Sequence, residues 1–233
     1  MRLKIEFEMD GSIVLPYSYR EKIQAFIYSA IDDGGKLHDL EIGRIKPFVF
    51  SNIIGKYNPC EKGIAFSGRC SLYFASTCFE ILNDFYNFCV EKKTLSLNGE
   101  YIPLDRISQV QYKNFSGPIA YRTISPVTVY DTTNEGKSVF YNPDDRIFKK
   151  KLYENLAHKY METFNTEMDD YINIYKVKSI KRRIVDYKGF SYEAYDLSFS
   201  ADCKEKIHTL MMDLGIGNRN SIGLGMIEYN NFD

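Results

Sequence analysis

The stretch GIGNRNSIGLGMIEY, Gly215 to Tyr229, decides how this chain is read. It sets glycines at 215, 217, 223 and 225 around a polar centre of Asn218, Arg219, Asn220 and Ser221. Glycine has no Cβ and reaches positive φ at little steric cost, so such a loop can bring backbone amides against a phosphate-bearing ligand. The same freedom would also let a helix fold back tightly onto a sheet. The flanks are an amphipathic helical pattern over residues 201–214 and a strand-like run over 226–229. Nucleotide-binding glycine motifs follow a strand and open a helix, the reverse of the order here, which argues against a dinucleotide fingerprint or a Walker loop.

Working back from that loop, two long strand patterns over 171–185 and 191–200 turn through Tyr187-Lys188-Gly189, and a helix is predicted over 144–164. PVTVYD and SVFY precede them as strands. The first half carries the same order. Residues 2–9 alternate strictly, with Leu3, Ile5, Phe7 and Met9 on one side, the mark of a half-buried strand. Ile23, Phe26, Ile27, Ala30 and Ile31 then form a helical stripe that ends at Gly34-Gly35. KPFVFSNII, GIAFSG and CSLYFAS read as strands, 76–91 as a second helix, and 107–112 as a further strand. The expectation is an α+β fold of two tandem β-α-β-β-α-β units, a ferredoxin-like (RRM-like) pattern, divided near 117 into domains 1–117 and 118–233.

Composition fits two small domains with their own cores, at 233 residues and 44% hydrophobic. The start MRLKIEFEM lacks the apolar run of a secretory signal, and no stretch is long enough to span a bilayer, so a cytoplasmic protein without a membrane partner is expected. Five cysteines without a CxxC pair suggest neither a disulfide framework nor a zinc site. A net charge of −1 argues against a protein that coats nucleic acid through bulk charge. Local attraction survives if the basic residues are segregated, since screening limits it to ~8–10 Å. Lys149-Lys150-Lys151 and the set Lys176, Lys178, Lys181, Arg182 and Arg183 supply such runs, and alternation lets Lys176 and Lys178 share one side of a strand.

The helix, the GhGxxxSxGhG loop (h apolar) and the following strand resemble the C-terminal signature of the CRISPR repeat-processing endoribonucleases of the RAMP superfamily. In the first half the resemblance takes in Ile27-Tyr28 on the first helix, His38 after it, and Lys46 leading into KPFVFS. It implies metal-independent cleavage of CRISPR precursor RNA within its repeats, by attack of the ribose 2′-hydroxyl and with no cofactor. The products implied are a 2′,3′-cyclic phosphate and a 5′-hydroxyl. His38 would transfer a proton as acid or base, Tyr28 would position the nucleophile, and Lys46 would stabilise the charge of the transition state.

These residue types suit the reaction on their own chemistry. Imidazole titrates near neutrality, a phenol is a poor base but a good hydrogen-bond donor, and an ammonium neutralises a phosphoryl oxygen. His158 and His208 sit mid-helix and read as surface or boundary residues. On the RNA-binding side are Lys176, Lys178, Lys181, Arg182 and Arg183, with Gly215, Gly217, Asn218, Arg219, Asn220, Ser221, Gly223 and Gly225 of the loop. Partners implied are CRISPR repeat RNA, a CRISPR interference complex and, as one assembly, a homodimer. Two rivals stay open: a non-cleaving RAMP subunit that holds guide RNA, and an unrelated tandem ferredoxin-like protein.

Overall fold

Alternation at the start of the chain becomes β1 (Arg2–Leu15), longer than the eight residues expected because a bulge between Met9 and Ser12 lets pairing resume beyond it. The architecture is that of a computed structural model, which describes residues 1–31, 45–97, 99–113, 117–169 and 171–230. After β1 come α1 (Tyr19–Ala30), β2 (Phe48–Phe50), β3 (Ile54–Cys60), β4 (Gly63–Ser76), α2 (Phe79–Lys92), β5 (Thr94–Leu97) and β6 (Glu100–Val110). The strands form one antiparallel sheet in the order β2-β4-β1-β6-β5, with β3 paired to β4. Ile5 lies opposite Leu72 on one side and Ile107 on the other.

Leu3, Ile5 and Phe7 face Ile23, Phe26 and Ile27 of α1 and Phe85 of α2 in a single buried cluster. Phe74 and Phe85 meet with ring centroids 4.3 Å apart. Burial of each such ring is worth roughly 1.5–3 kcal/mol.

The second half runs β7 (Ile119–Thr123), β8 (Tyr130–Thr132), β9 (Ser138–Phe140), α3 (Arg146–Phe164), β10 (Ile172–Tyr187), β11 (Phe190–Cys203), α4 (Glu205–Leu214) and β12 (Ile227–Tyr229). Its main sheet has the order β10-β11-β7-β12, while β8 and β9 form a separate hairpin. Tyr121, Leu197 and Phe199 pack with Leu152 and Leu156 of α3 and Ile207, Leu210 and Met211 of α4. The result is an α+β fold of two sheet-rich subdomains with helices, consistent with a ferredoxin-like architecture.

Several expected boundaries move. GIAFSG and CSLYFAS are one continuous strand, since Gly68 at φ +65 bends it without breaking it. KPFVFSNII divides into β2 and the start of β3. The strand IAYRT (β7) is not among the expected strands, and PVTVYD forms only bridges through Val127 and Thr128 before β8. Helix α4 starts four residues later than expected because β11 continues through Cys203, which pairs with Ile172.

Candidate active site and nucleic-acid interface

Helix α1 presents Arg20, Gln24 and Tyr28 at intervals of four residues, and therefore on one face. Each meets a different element. Tyr28 is half-buried, its ring edge-on to Phe48 of β2 at 6.0 Å. Lys46 stands just before that strand, where Pro47 is held by the Ser76 hydroxyl donating to its carbonyl. The Lys46 ammonium donates to the Tyr28 hydroxyl at 2.6 Å and lies 5.0 Å from the centre of its ring. A helix and a strand entry separated by 18 residues of chain thus deliver a phenol and an ammonium to one point. Burial draws the Lys46 pKa below the usual lysine value of 10.5. His38, the third expected member, lies outside the described residues.

The glycine loop sits directly behind this pair. Gln24 donates to the Ser221 carbonyl at 2.7 Å and also accepts from the Tyr187 hydroxyl at the tip of the β10–β11 hairpin. Gly223, at φ +84, lies where an added Cβ would strike the ring of Phe50. The loop is therefore a wedge between the subdomains, touching the helix that carries Tyr28 and the strand that follows Lys46.

This packing turns three of the glycine amides expected to face phosphate, those of Gly215, Gly223 and Gly225, onto carbonyls of the protein. The amides of Gly215, Gly223 and Gly225 donate to the carbonyls of Met211, Asn220 and Pro126, and that of Asn218 donates to Thr128. A Cβ at Gly215, Gly217 or Gly225 would strike backbone of Gly225, Thr128 or Ile216. Asn220 is buried and bridges the carbonyls of Ile216 and Leu224 through its side-chain amide. The reason is geometric: two chain crossings come too close for any side chain. What the loop leaves at the surface is Arg219, with Asn218 and Ser221 partly exposed. The Arg219 guanidinium donates to the Tyr130 hydroxyl at 2.7 Å and lies over Tyr192 at 5.4 Å.

Lys159 was not singled out by sequence, yet it braces this loop. It is 1% exposed and donates to the carbonyls of Gly215 and Gly217, each at 2.9 Å. Burial pushes its pKa down to about 7. The available signal was its position on the α3 stripe of Phe148, Leu152, Leu156 and Tyr160, where a lysine has to find buried acceptors.

The basic strand is less uniformly cationic than its sequence. Arg182 pairs with Glu193 at 2.5 Å and Arg183 with Asp196 at 2.7 Å, both acids lying on the neighbouring β11. Among the described residues no ion pair engages Lys176, Lys178 or Lys181. Lys176 adopts φ +50 at a register shift, so strict alternation fails there, yet Lys176 and Lys178 both remain exposed. Lys151 pairs with Asp131 at 2.8 Å and with Glu154 at 3.0 Å, so of the 149–151 run it is Lys149 and Lys150 that remain exposed, the latter 3.8 Å from Glu154. His208 is buried rather than at a helix surface: its Nδ1 shares a 2.6 Å hydrogen bond with the Tyr121 hydroxyl, and burial lowers its pKa. Among the described residues no helix is long and apolar enough to cross a membrane.

The family description "CRISPR associated protein Cas6, C-terminal" matches residues 110–229, from the end of β6 through the glycine loop to β12. The chain belongs to the Cas6 family. Over 230 residues it is 24% identical to the CRISPR-associated endoribonuclease Cas6 of Pyrococcus furiosus, covering 95% of this chain and 86% of that protein. Among solved structures, one described as a Cas6-related gene product from the same organism superposes with a TM-score of 0.87 at 21% identity, covering 100% of this chain and 99% of that one. Another, described as a RAMP protein binding different RNA substrates, gives a TM-score of 0.86 at 20% identity, covering 99% of this chain and 100% of that one. At that identity the structural likeness speaks for the Cas6 fold alone.

Proposed function

We propose that this protein is an endoribonuclease that cuts CRISPR precursor RNA within its repeats to release guide RNAs. The observation that carries the reading is the hydrogen-bonded Lys46–Tyr28 pair, set beside the inter-subdomain wedge of a Cas6-family chain. We infer two tandem β-α-β-β-α-β units from the strand orders, with β3, the β5 strand and the β8–β9 hairpin as additions, and place the domain boundary near 117. The protein acts in the cytoplasm. Its product passes to a CRISPR interference complex, and a homodimer is one assembly compatible with this role.

In the proposed reaction the ribose 2′-oxygen attacks the adjacent phosphorus in line with the departing 5′-oxygen. No metal is needed, because the substrate supplies its own nucleophile. The Lys46 ammonium faces the charge that develops on the phosphoryl oxygens, a role that strengthens where water is thinned out. Tyr28, whose oxygen accepts from Lys46, holds that ammonium in place and directs its phenol toward the 2′-oxygen. His38 handles a proton step, worth typically 10²–10⁴ in rate. The ends are a 2′,3′-cyclic phosphate and a 5′-hydroxyl. Lys176, Lys178 and Lys181 track the RNA backbone, Arg182 and Arg183 reinforce the strand's positive edge from within their ion pairs, and Arg219 with Asn218 and Ser221 meets the RNA at the loop.

The test is incubation with repeat RNA in excess chelator. A single cut bearing a cyclic phosphate is expected, slowed about 10²-fold or more in His38→Ala with binding retained. Tight binding without scission would overturn the nuclease reading in favour of a guide-holding subunit.

A further inference from the structure

A pocket of about 420 Å³ opens where the start of α1, the β3–β4 hairpin and β10 meet, away from the Lys46–Tyr28 pair. Its aromatic side is fixed before any ligand arrives. Tyr57 is 51% exposed, large for a ring in a cleft, and rests on buried Phe66 at 6.1 Å, which in turn meets Tyr19 edge-on. Tyr17, also half exposed, is pinned through its hydroxyl to the Cys60 carbonyl at 2.9 Å.

The polar side combines several donors with one carboxylate. Arg20 lies over the Tyr19 ring and gives an N–H to Asn52 Oδ1 at 2.5 Å. That bond occupies one lone pair of the Asn52 oxygen and sets the orientation of the amide, whose NH₂ is a donor. Lys181 adds an ammonium from β10, while the Arg183 guanidinium is held by Asp196. Asp186, a carboxylate of the lining, accepts from the Ser191 hydroxyl. A stacking ring beside a donor wall and an ammonium matches one unpaired nucleotide: base on the ring, acceptor edge on Asn52 and Arg20, phosphate on Lys181. Every base carries ring-nitrogen or carbonyl acceptors as well as a π-face, so such a wall can hold the edge of any of the four. Arg20 and Tyr28 lie on one face of α1, eight residues and so roughly 12 Å apart along the helix axis at 1.5 Å per residue.

We propose that this pocket holds one unpaired nucleotide of the substrate RNA, stacking its base on Tyr57 with the base edge on Asn52 and Arg20. The polymer's identity rests on the RNA-cleaving function proposed above; the stacking site rests on the pocket alone. To test it, RNAs are selected from a randomised single-stranded pool with the full-length protein. The selected RNA is then remade with an abasic site at each position in turn. Binding is compared for wild type, Tyr57→Ala, Tyr57→Phe and Asn52→Ala.

At one position the abasic change should weaken wild-type binding by roughly tenfold or more, the scale of base–aromatic stacking. That penalty should vanish in Tyr57→Ala and persist in Tyr57→Phe. Asn52→Ala should weaken binding of the intact RNA more than binding of the RNA abasic at that position. Tyr57 is half exposed, so its truncation leaves no core cavity, and melting temperatures verify folding. Absence of any position coupled to Tyr57 overturns the proposal. Cleavage followed in parallel separates the two claims: cutting without coupling removes only the pocket, and coupling without cutting removes only the nuclease.

Discussion

Replacing Lys159 with Met removes a titrating group from the interior while keeping an unbranched chain of similar length. In the fold the amine is buried between the Gly215 and Gly217 carbonyls, and its pKa falls to about 7. The unfolded chain returns it to about 10.4. Between those values the unfolded state binds one proton more than the folded state, so the free energy of unfolding rises with pH. The destabilisation is full below pH ~7, declines by up to about 1.4 kcal/mol per pH unit above it, and is gone near 10.5. From pH 7 to pH 9 the wild type should therefore gain about 2–3 kcal/mol relative to Lys159→Met. The variant loses two hydrogen bonds and leaves two carbonyls unsatisfied, a constant offset of about 1–3 kcal/mol for each group. Urea unfolding of both proteins across pH 7–9 isolates the slope, because the raised thiol of Cys89, the raised phenols of Tyr112 and Tyr121 and the lowered Met1 amine are common to both and cancel. A stability difference that does not change with pH would refute a buried, titrating Lys159.

Gly223→Ala should destabilise by about 2–4 kcal/mol, combining the cost of positive φ with overpacking against Phe50, as read from chemical denaturation. Lys46→Ala should cut single-turnover cleavage by roughly 10²-fold or more with RNA affinity little changed. Because burial lowers the Lys46 pKa, cleavage that relies on its charge should fall as pH rises toward and through that lowered value, and Lys46→Arg should abolish the fall by staying protonated. If Lys181 contacts a phosphate, Lys181→Ala should reduce the slope of log affinity against log salt by ~0.7. An unchanged slope would take Lys181 off the RNA path.

Legibility in the sequence followed local pattern and failed where tertiary contact decided. The period-2 run from Leu3 to Met9 and the stripe from Ile23 to Ala30 are set by which face must leave water, and both elements are present, though β1 runs on to Leu15 and α1 ends at Ala30 rather than at Gly34-Gly35. IAYRT was obscured because Ser116-Gly117-Pro118 beside it reads as a linker, and only pairing with β11 and β12 makes it a central strand. The Tyr28–Lys46 juxtaposition was legible through family resemblance, since nothing in 18 residues of spacing dictates a 2.6 Å contact. The glycines stood out correctly as a special loop, but composition cannot distinguish an amide offered to phosphate from one donated to Pro126 or Met211. Nor could a run of basic letters reveal Glu193 and Asp196 waiting on the next strand.

Replacing the ribose at the scissile nucleotide with its 2′-deoxy form tests most directly whether the substrate's own hydroxyl is the nucleophile beside Lys46 and Tyr28. The account predicts full binding and complete loss of cleavage at that linkage, with the unmodified RNA cut normally in the same tube. Scission of the deoxy linkage at a comparable rate would mean that water attacks instead, and would contradict the chemistry placed at this pair.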